Sequence, residues 1–305
     1  GGGDHVAGPQ AGAAVARQFF RELGTTQDRI RDVPAAEILA AQKAIAIGPR
    51  GSWIWRPTID GAALTELPLT TIAAGAGAAI PLLAQSCARE AALYQLLDRD
   101  AGAQADRVLA GYFGAPARDR IFEAYAKSRP ELAADPTALR VAVMTDERYG
   151  IPTTRLADAH SAHAPVWRSR YDGPLTGLPD PVPAHLEFLV PLLGAAHGSD
   201  GSGVWQGGSG LAGLLHAAWG AFACGASPGS ASPDSASPDS ASSGSASPDW
   251  AGLPSWPAYD TTRRPTMIFH PDGPYLAADP NSAERAAWDG LTWVSGTWWE
   301  VDGMD

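Results

Sequence analysis

An acid and a base stand in this chain in an order that chemistry can use. Glu90 follows the apolar run Ile80-Pro81-Leu82-Leu83-Ala84, and His197 closes Leu192-Leu193-Gly194-Ala195-Ala196-His197. A serine hydroxyl is a weak nucleophile, so an imidazole must take its proton. A carboxylate must then fix that imidazole's tautomer and stabilise the imidazolium. The acid comes six residues after a strand-like run (90 − 84), and Gly198-Ser199 follows the histidine as on a loop. Each residue alone has a plainer reading. A glutamate opening a helix is favoured by the helix dipole, and a histidine after Gly-Ala-Ala suits an ordinary loop.

Other residues that could do chemistry have weaker cases. Gly225-Ala226-Ser227-Pro228-Gly229 is a literal G-x-S-x-G. The nucleophile elbow needs a strand entering, a helix leaving, and an amide N–H after the serine. Ser227 instead opens a polar tract, Pro228 has no N–H to donate, and the serine follows both Glu90 and His197. It is rejected as a nucleophile. His160 and His163 lie at i, i+3 on an expected helix, but no third ligand stands at supporting spacing. They are read as surface or supporting residues, so no metal and no cofactor is expected. His5, His185, His216 and His270 have no evident partners. Cys87 and Cys224 are too few for a disulfide framework and are expected to be reduced, buried thiols.

The elements that must position Glu90 and His197 follow from periodicity. Ala13 to Leu23 has apolar residues at helical spacing and stops at Gly24. Pro34 to Ala46 predicts a second helix with proline in its first turn. Ile80 to Ala84 is expected as a buried strand, and Val166 to Tyr171 as another. Helical spacing runs from Glu90 to Ala126, interrupted by Gly114 and Pro116. Further helices are expected over Pro136 to Thr145, Pro152 to His163, Leu211 to Ala223 and Ala283 to Leu291. Residues 226–249 repeat a Ser-Ala-Ser-Pro-Asp unit with almost nothing to bury, which predicts a disordered insertion in a surface loop. Short strands between long helical stretches imply an α/β fold with a parallel sheet.

The 305 residues are 45% hydrophobic, enough for a sizeable core. A net charge of −11 disfavours a nucleic-acid or anionic-membrane surface. No apolar run approaches the roughly 20 residues of a membrane span. Composition, with no disulfide pattern, points to the cytoplasm; secretion stays open.

Segments spread along the chain resemble the C-terminal part of a type-B carboxylesterase, the family that includes the cholinesterases. Pro57-Thr58-Ile59-Asp60-Gly61 with Leu67-Pro68 is similar to its P-x-x-D-G…L-P stretch. Pro81 to Ala91 resembles the strand, turn and acid that carry the triad glutamate. Thr145-Asp146, Pro152 and Leu156-Ala157 resemble its T-D…P…L-A helix, and Gly194 to Asp200 its G-A-x-H-x-x-[ED] motif. Trp219, Phe222-Ala223, Trp256-Pro257, Tyr259 and Arg264 to Phe269 follow in the family's order. The resemblance implies a single partial α/β-hydrolase domain over 1–305, with parallel-sheet strands and many helices. It implies hydrolysis of small carboxylic esters by a Ser-Glu-His triad, with Glu90 and His197 as acid and base. The serine elbow and oxyanion strand precede this region in the family. The nucleophile is therefore expected from an N-terminal half of the same protein, upstream of Gly1, and the isolated chain is expected to be inactive. The alternative is a non-catalytic α/β-hydrolase-like binding or adhesion protein. Two local departures stand out. Gly201-Ser202-Gly203 replaces the usual Leu-Pro-aromatic after Asp200, and Arg89 replaces the usual acid before Glu90, where a cation should keep that carboxylate ionised.

Overall fold

A computed structural model describes residues 5–46, 54–97, 101–179, 181–225 and 253–294. Its centre is a four-stranded sheet in the order β1 (Leu82–Cys87), β2 (Val166–Tyr171), β3 (Pro265–Phe269), β4 (Tyr275–Ala278). The first three strands are parallel and β4 returns antiparallel to β3. Parallel neighbours need long crossovers. The β1-to-β2 crossover carries α4 (Ala92–Leu97), α5 (Ala101–Phe113), α6 (Ala115–Ser128), α7 (Pro130–Ala133), α8 (Pro136–Thr145) and α9 (Ile151–His160). Before the sheet come α1 (Pro9–Leu23), α2 (Ala35–Ile45) and α3 (Pro68–Ala73). Between β2 and β3 lie α10 (Leu189–Leu193), α11 (Gly201–Gln206) and α12 (Gly210–Ala223), and α13 (Ser282–Ala286) follows β4.

Register and side-chain alternation give the sheet two unlike faces. Leu83, Cys87, Tyr171, Met267 and Phe269 face α12, where Leu215 and Ala218 are fully buried and Trp256 closes the cluster. On the other face Leu82 and Val166 pack with Ala157 of α9 and Tyr259, and Ala84, Ser86, Arg168, Arg170, Thr266 and Ile268 share that side. A third cluster joins α5, α6 and α8 to Trp288 after α13.

Pattern and structure differ at several ends. The strand expected at 80–84 runs Leu82–Cys87. Pro81 has no N–H to give a ladder, pairing starts where Leu82 N donates to Pro165 O, and Ile80 is left 65% exposed. Glu90 therefore stands three residues past the strand, not six, and lies in a turn before α4. The helical stretch 90–126 is three helices. Gly114 (φ 76°) stops α5, and Pro116 starts α6, where its missing N–H costs nothing. The last helix is one turn shorter than its pattern, because Ala287 to Gly290 continue as turns. β3 and β4 were not anticipated. Pro-Thr-Met-Ile-Phe is buried at all five positions, so it lacks the alternation that marks a half-buried strand. Residues 226–249, expected as a disordered insertion, lie outside the described residues, as does Ser227.

Candidate active site

Glu90 and His197 meet although 107 positions separate them. The backbone brings them together like a zip at the carboxyl ends of β1 and β2. Ala88 N donates to Tyr171 O (2.9 Å), Ala195 N to Gly173 O (2.7 Å) and Arg89 N to Ala195 O (2.8 Å). His197 N then donates to Glu90 O at 3.2 Å. Turning this tightly requires left-handed backbone at Ala195 (φ 54°) and Gly198 (φ 78°). Glycine takes that conformation without strain; alanine does so at a cost. Below the loop, Gln85 Nε2 donates to Asp200 Oδ2 (2.5 Å), and Ser169 Oγ donates to Gln85 Oε1 (2.8 Å). A row of side chains thus ties the histidine loop to the strands.

The two side chains have unlike surroundings. Glu90 is buried, with Oε1 accepting from Cys87 N at 2.7 Å and Oε2 lying 2.7 Å from His197 Nδ1. The imidazole is 43% exposed. Oε2 is an acceptor, so Nδ1 carries the proton and Nε2 presents its lone pair outward. A base must have that tautomer. Arg89 does not meet Glu90. Its side chain is exposed, and Nη1 donates to Pro191 O at 3.4 Å.

Sequence reasoning missed the aromatic wall. The Tyr149 ring lies 4.9 Å and the Tyr94 ring 5.8 Å from the imidazole, centroid to centroid. The two phenols are parallel, with hydroxyl oxygens 2.5 Å apart, and Arg148 lies 5.4 Å over Tyr94. Burial raises both phenol pKa values, so both stay protonated. Tyr149 owes its place to a single wide turn, Asp146–Gly150, between α8 and α9. Pro152 forces it: a proline cannot bond the carbonyl four residues back. That carbonyl, on Arg148, bonds His5 Nε2 instead, at 3.0 Å. Gly150 completes the turn, because a Cβ there would stand 1.9 Å from Asp146 Oδ1. The proline and T-D signals for this turn were present in the sequence, but its target was not.

Besides His5, three histidines among the described residues meet backbone carbonyls: His160, His163 and His216. His160 is buried, not on the surface: its Nε2 meets Ile80 O at 2.7 Å, and His163 Nε2 meets Ala73 O at 3.0 Å. Cys87 is buried, with burial raising its thiol pKa well above the usual value, whereas Cys224 is exposed, contrary to expectation. Among the described residues, no His, Cys, Asp or Glu cluster is placed to hold a metal ion, and no helix is long and apolar enough to cross a membrane.

The sequence model described as "Carboxylesterase family" matches residues 10–211. Para-nitrobenzyl esterase of Bacillus subtilis (strain 168) is 28% identical over 168 residues, 52% of this chain and 33% of that protein. Among solved structures, a PNB esterase superposes with TM-score 0.66 at 24% identity, covering 92% of this chain and 55% of its own. A Geobacillus stearothermophilus carboxylesterase gives TM-score 0.65 at 22% identity, covering 93% and 55%. The chain thus spans about a third of the curated relative's length and about half of the solved ones. At these identities the superpositions establish the α/β-hydrolase fold.

Proposed function

We propose, because this chain belongs to the carboxylesterase family, that it supplies the acid and base of an enzyme hydrolysing small carboxylic esters. His197 is the general base and Glu90 its orienter. The nucleophilic serine and the oxyanion-binding N–H groups come from polypeptide upstream of Gly1. In the first half-reaction the serine oxygen attacks the ester carbonyl carbon while its proton passes to His197 Nε2. The tetrahedral intermediate collapses, and the departing alkoxide takes that proton. In the second half, water gives its proton to Nε2 and attacks the acyl-enzyme. The serine leaves with the proton as the carboxylic acid is released. Throughout, Glu90 keeps the proton on Nδ1 and stabilises the imidazolium.

The observation that carries this reading is the 2.7 Å contact between His197 Nδ1 and Glu90 Oε2, with the carboxylate buried and the imidazole half-open. The para-nitrobenzyl esterase relative supports esters as the substrate class. The test is to express this chain with the coding sequence upstream of Gly1, in cis or in trans, and follow p-nitrophenyl ester turnover. His197→Ala should lower kcat by about 10⁴- to 10⁶-fold with little change in KM. Turnover unchanged by His197→Ala would refute the assignment.

A further inference from the structure

The second face of the sheet holds a positive charge that ester hydrolysis does not use. Strand β2 alternates so that Arg168 and Arg170 lie on the α8 and α9 side, away from α12. A parallel strand covered on both faces ordinarily carries apolar side chains in both directions. Here a cavity of about 260 Å³ lies under the sheet, bounded by Ser86, Arg129, Arg168, Arg170, Arg264 and Arg285 among others. Neither Glu90 nor His197 lines it.

Four of these guanidiniums have carboxylates of their own. Arg170 pairs with Asp172 at 2.6 Å, Arg129 with Glu284 at 2.6 Å, Arg285 with Asp279 at 2.9 Å and Arg264 with Asp158 at 3.2 Å. Arg168 has none among the described residues. Its Nη2 donates to Ser86 Oγ at 2.8 Å, and Nη1 donates to the carbonyls of Ala84 (3.5 Å) and Ser169, all neutral acceptors. It is 6% exposed. Burial lowers its pKa to about 10, which leaves it protonated at neutral pH. Asp146 also lines the cavity; burial raises its pKa, it accepts the Tyr125 hydroxyl at 2.5 Å, and it forms no ion pair with Arg168 among the described residues. Nε of Arg264 is buried without a hydrogen-bond partner among the described residues. A buried cation without an anion is unfavourable unless something compensates it.

We propose that this cavity binds a small tetrahedral oxyanion, phosphate or sulfate, with Arg168 as its main donor and Arg264 Nε–H as a second. Planar guanidinium forks match such oxygens better than any other side chain. At about 30 Å³ per water, the space takes a five-atom oxyanion together with several waters. Asp172 and Asp279 do not repel the ligand outright, because each is already neutralised by its own arginine.

The test is equilibrium dialysis of the purified chain against labelled sulfate, with ionic strength held constant by chloride and unlabelled phosphate as competitor. About one sulfate should bind per chain and phosphate should displace it. Sulfate should also raise the thermal midpoint by about 2–4 °C over chloride at equal ionic strength. Arg168→Met should bind none and show no sulfate increment, yet melt no lower than the parent in chloride, since an uncompensated buried charge has been removed. Arg264→Lys keeps the charge but loses the unpaired Nε–H, and should weaken binding about tenfold; it carries the test if Arg168→Met does not fold. Folded parent protein that takes up no sulfate, or equal uptake by both variants and the parent, would overturn the proposal.

Discussion

Glu90 spends both oxygens: Oε1 on Cys87 N and Oε2 on His197 Nδ1. A glutamine there has one acceptor for two donors, so one N–H must face another, or the imidazole must change tautomer and point a proton at the serine. We expect Glu90→Gln in the assembled enzyme to lose about 10²- to 10⁴-fold in kcat with its fold intact. A downfield Nδ1–H resonance present in the parent should vanish from the proton NMR spectrum of the variant. A second residue-scale prediction concerns acid stability. Burial lowers the pKa of His5 from 6.5 to about 4, where it holds the Arg148 carbonyl freed by Pro152. Between those two values the unfolded chain binds a proton at His5 that the native state does not. This contribution is therefore whole above about pH 6.5 and is lost as pH falls toward 4, an effect on the order of 2 kcal/mol. Urea titrations from pH 7 to 4 should show a shallower loss of stability in His5→Gln than in the parent. An equal slope would remove His5 from the account. The contact between Glu90 and His197 was legible because each sits in a recognisable local string. Tyr94 and Tyr149 were not, because they reach the imidazole only through backbone bonds among residues far apart in sequence.

At the scale of elements, legibility followed the strength of local signals. A helix was expected over Pro136 to Thr145, and α8 runs Pro136–Thr145. Asp135 Oδ1 accepts from Thr137 N and Ala138 N at 3.0 and 3.1 Å. Asp135→Ala should therefore lose about 1 kcal/mol in chemical denaturation. Val166–Tyr171 was also read from its weak alternation, although its alternating positions include a buried Arg168 and a half-buried Arg170 rather than solvent-facing polar residues. β3 escaped notice because a five-residue run buried on both faces carries no period. The Asp146–Gly150 turn offers the sharper test. Gly150→Ala drives a methyl into Asp146 Oδ1, so either the carboxyl swings off the Tyr125 hydroxyl or the turn opens, and we expect a loss of about 2–3 kcal/mol. Deleting residues 226–249, which have nothing to bury, should by contrast leave the thermal midpoint within about 1–2 °C. A large drop would show that the tract packs.

For the whole molecule, composition indicated a large core, the order of expected elements a parallel α/β sheet, and family resemblance the α/β-hydrolase class. None of these foretold that one sheet face carries the α12 core while the other sets Arg168 and Arg170 over a polar cavity. That contrast arises from β2 side chains meeting α8 and α9, a long-range arrangement without a local signature. Strand β1 ends the described sheet, paired only with β2, while carrying buried side chains on both faces. An edge of that kind is a template for a further strand, and we expect poor solubility when the chain is expressed alone. The central proposal is that this chain supplies acid and base and another part of the enzyme the nucleophile. It is tested most directly by p-nitrophenyl ester turnover of the pure 305-residue chain, measured beside the same chain co-expressed with the upstream coding sequence. The account predicts no turnover above a denatured control for the chain alone, since removing a triad nucleophile costs about 10⁶-fold, and turnover restored by the upstream part. Steady turnover by the chain alone, abolished by Ser227→Ala, would contradict it.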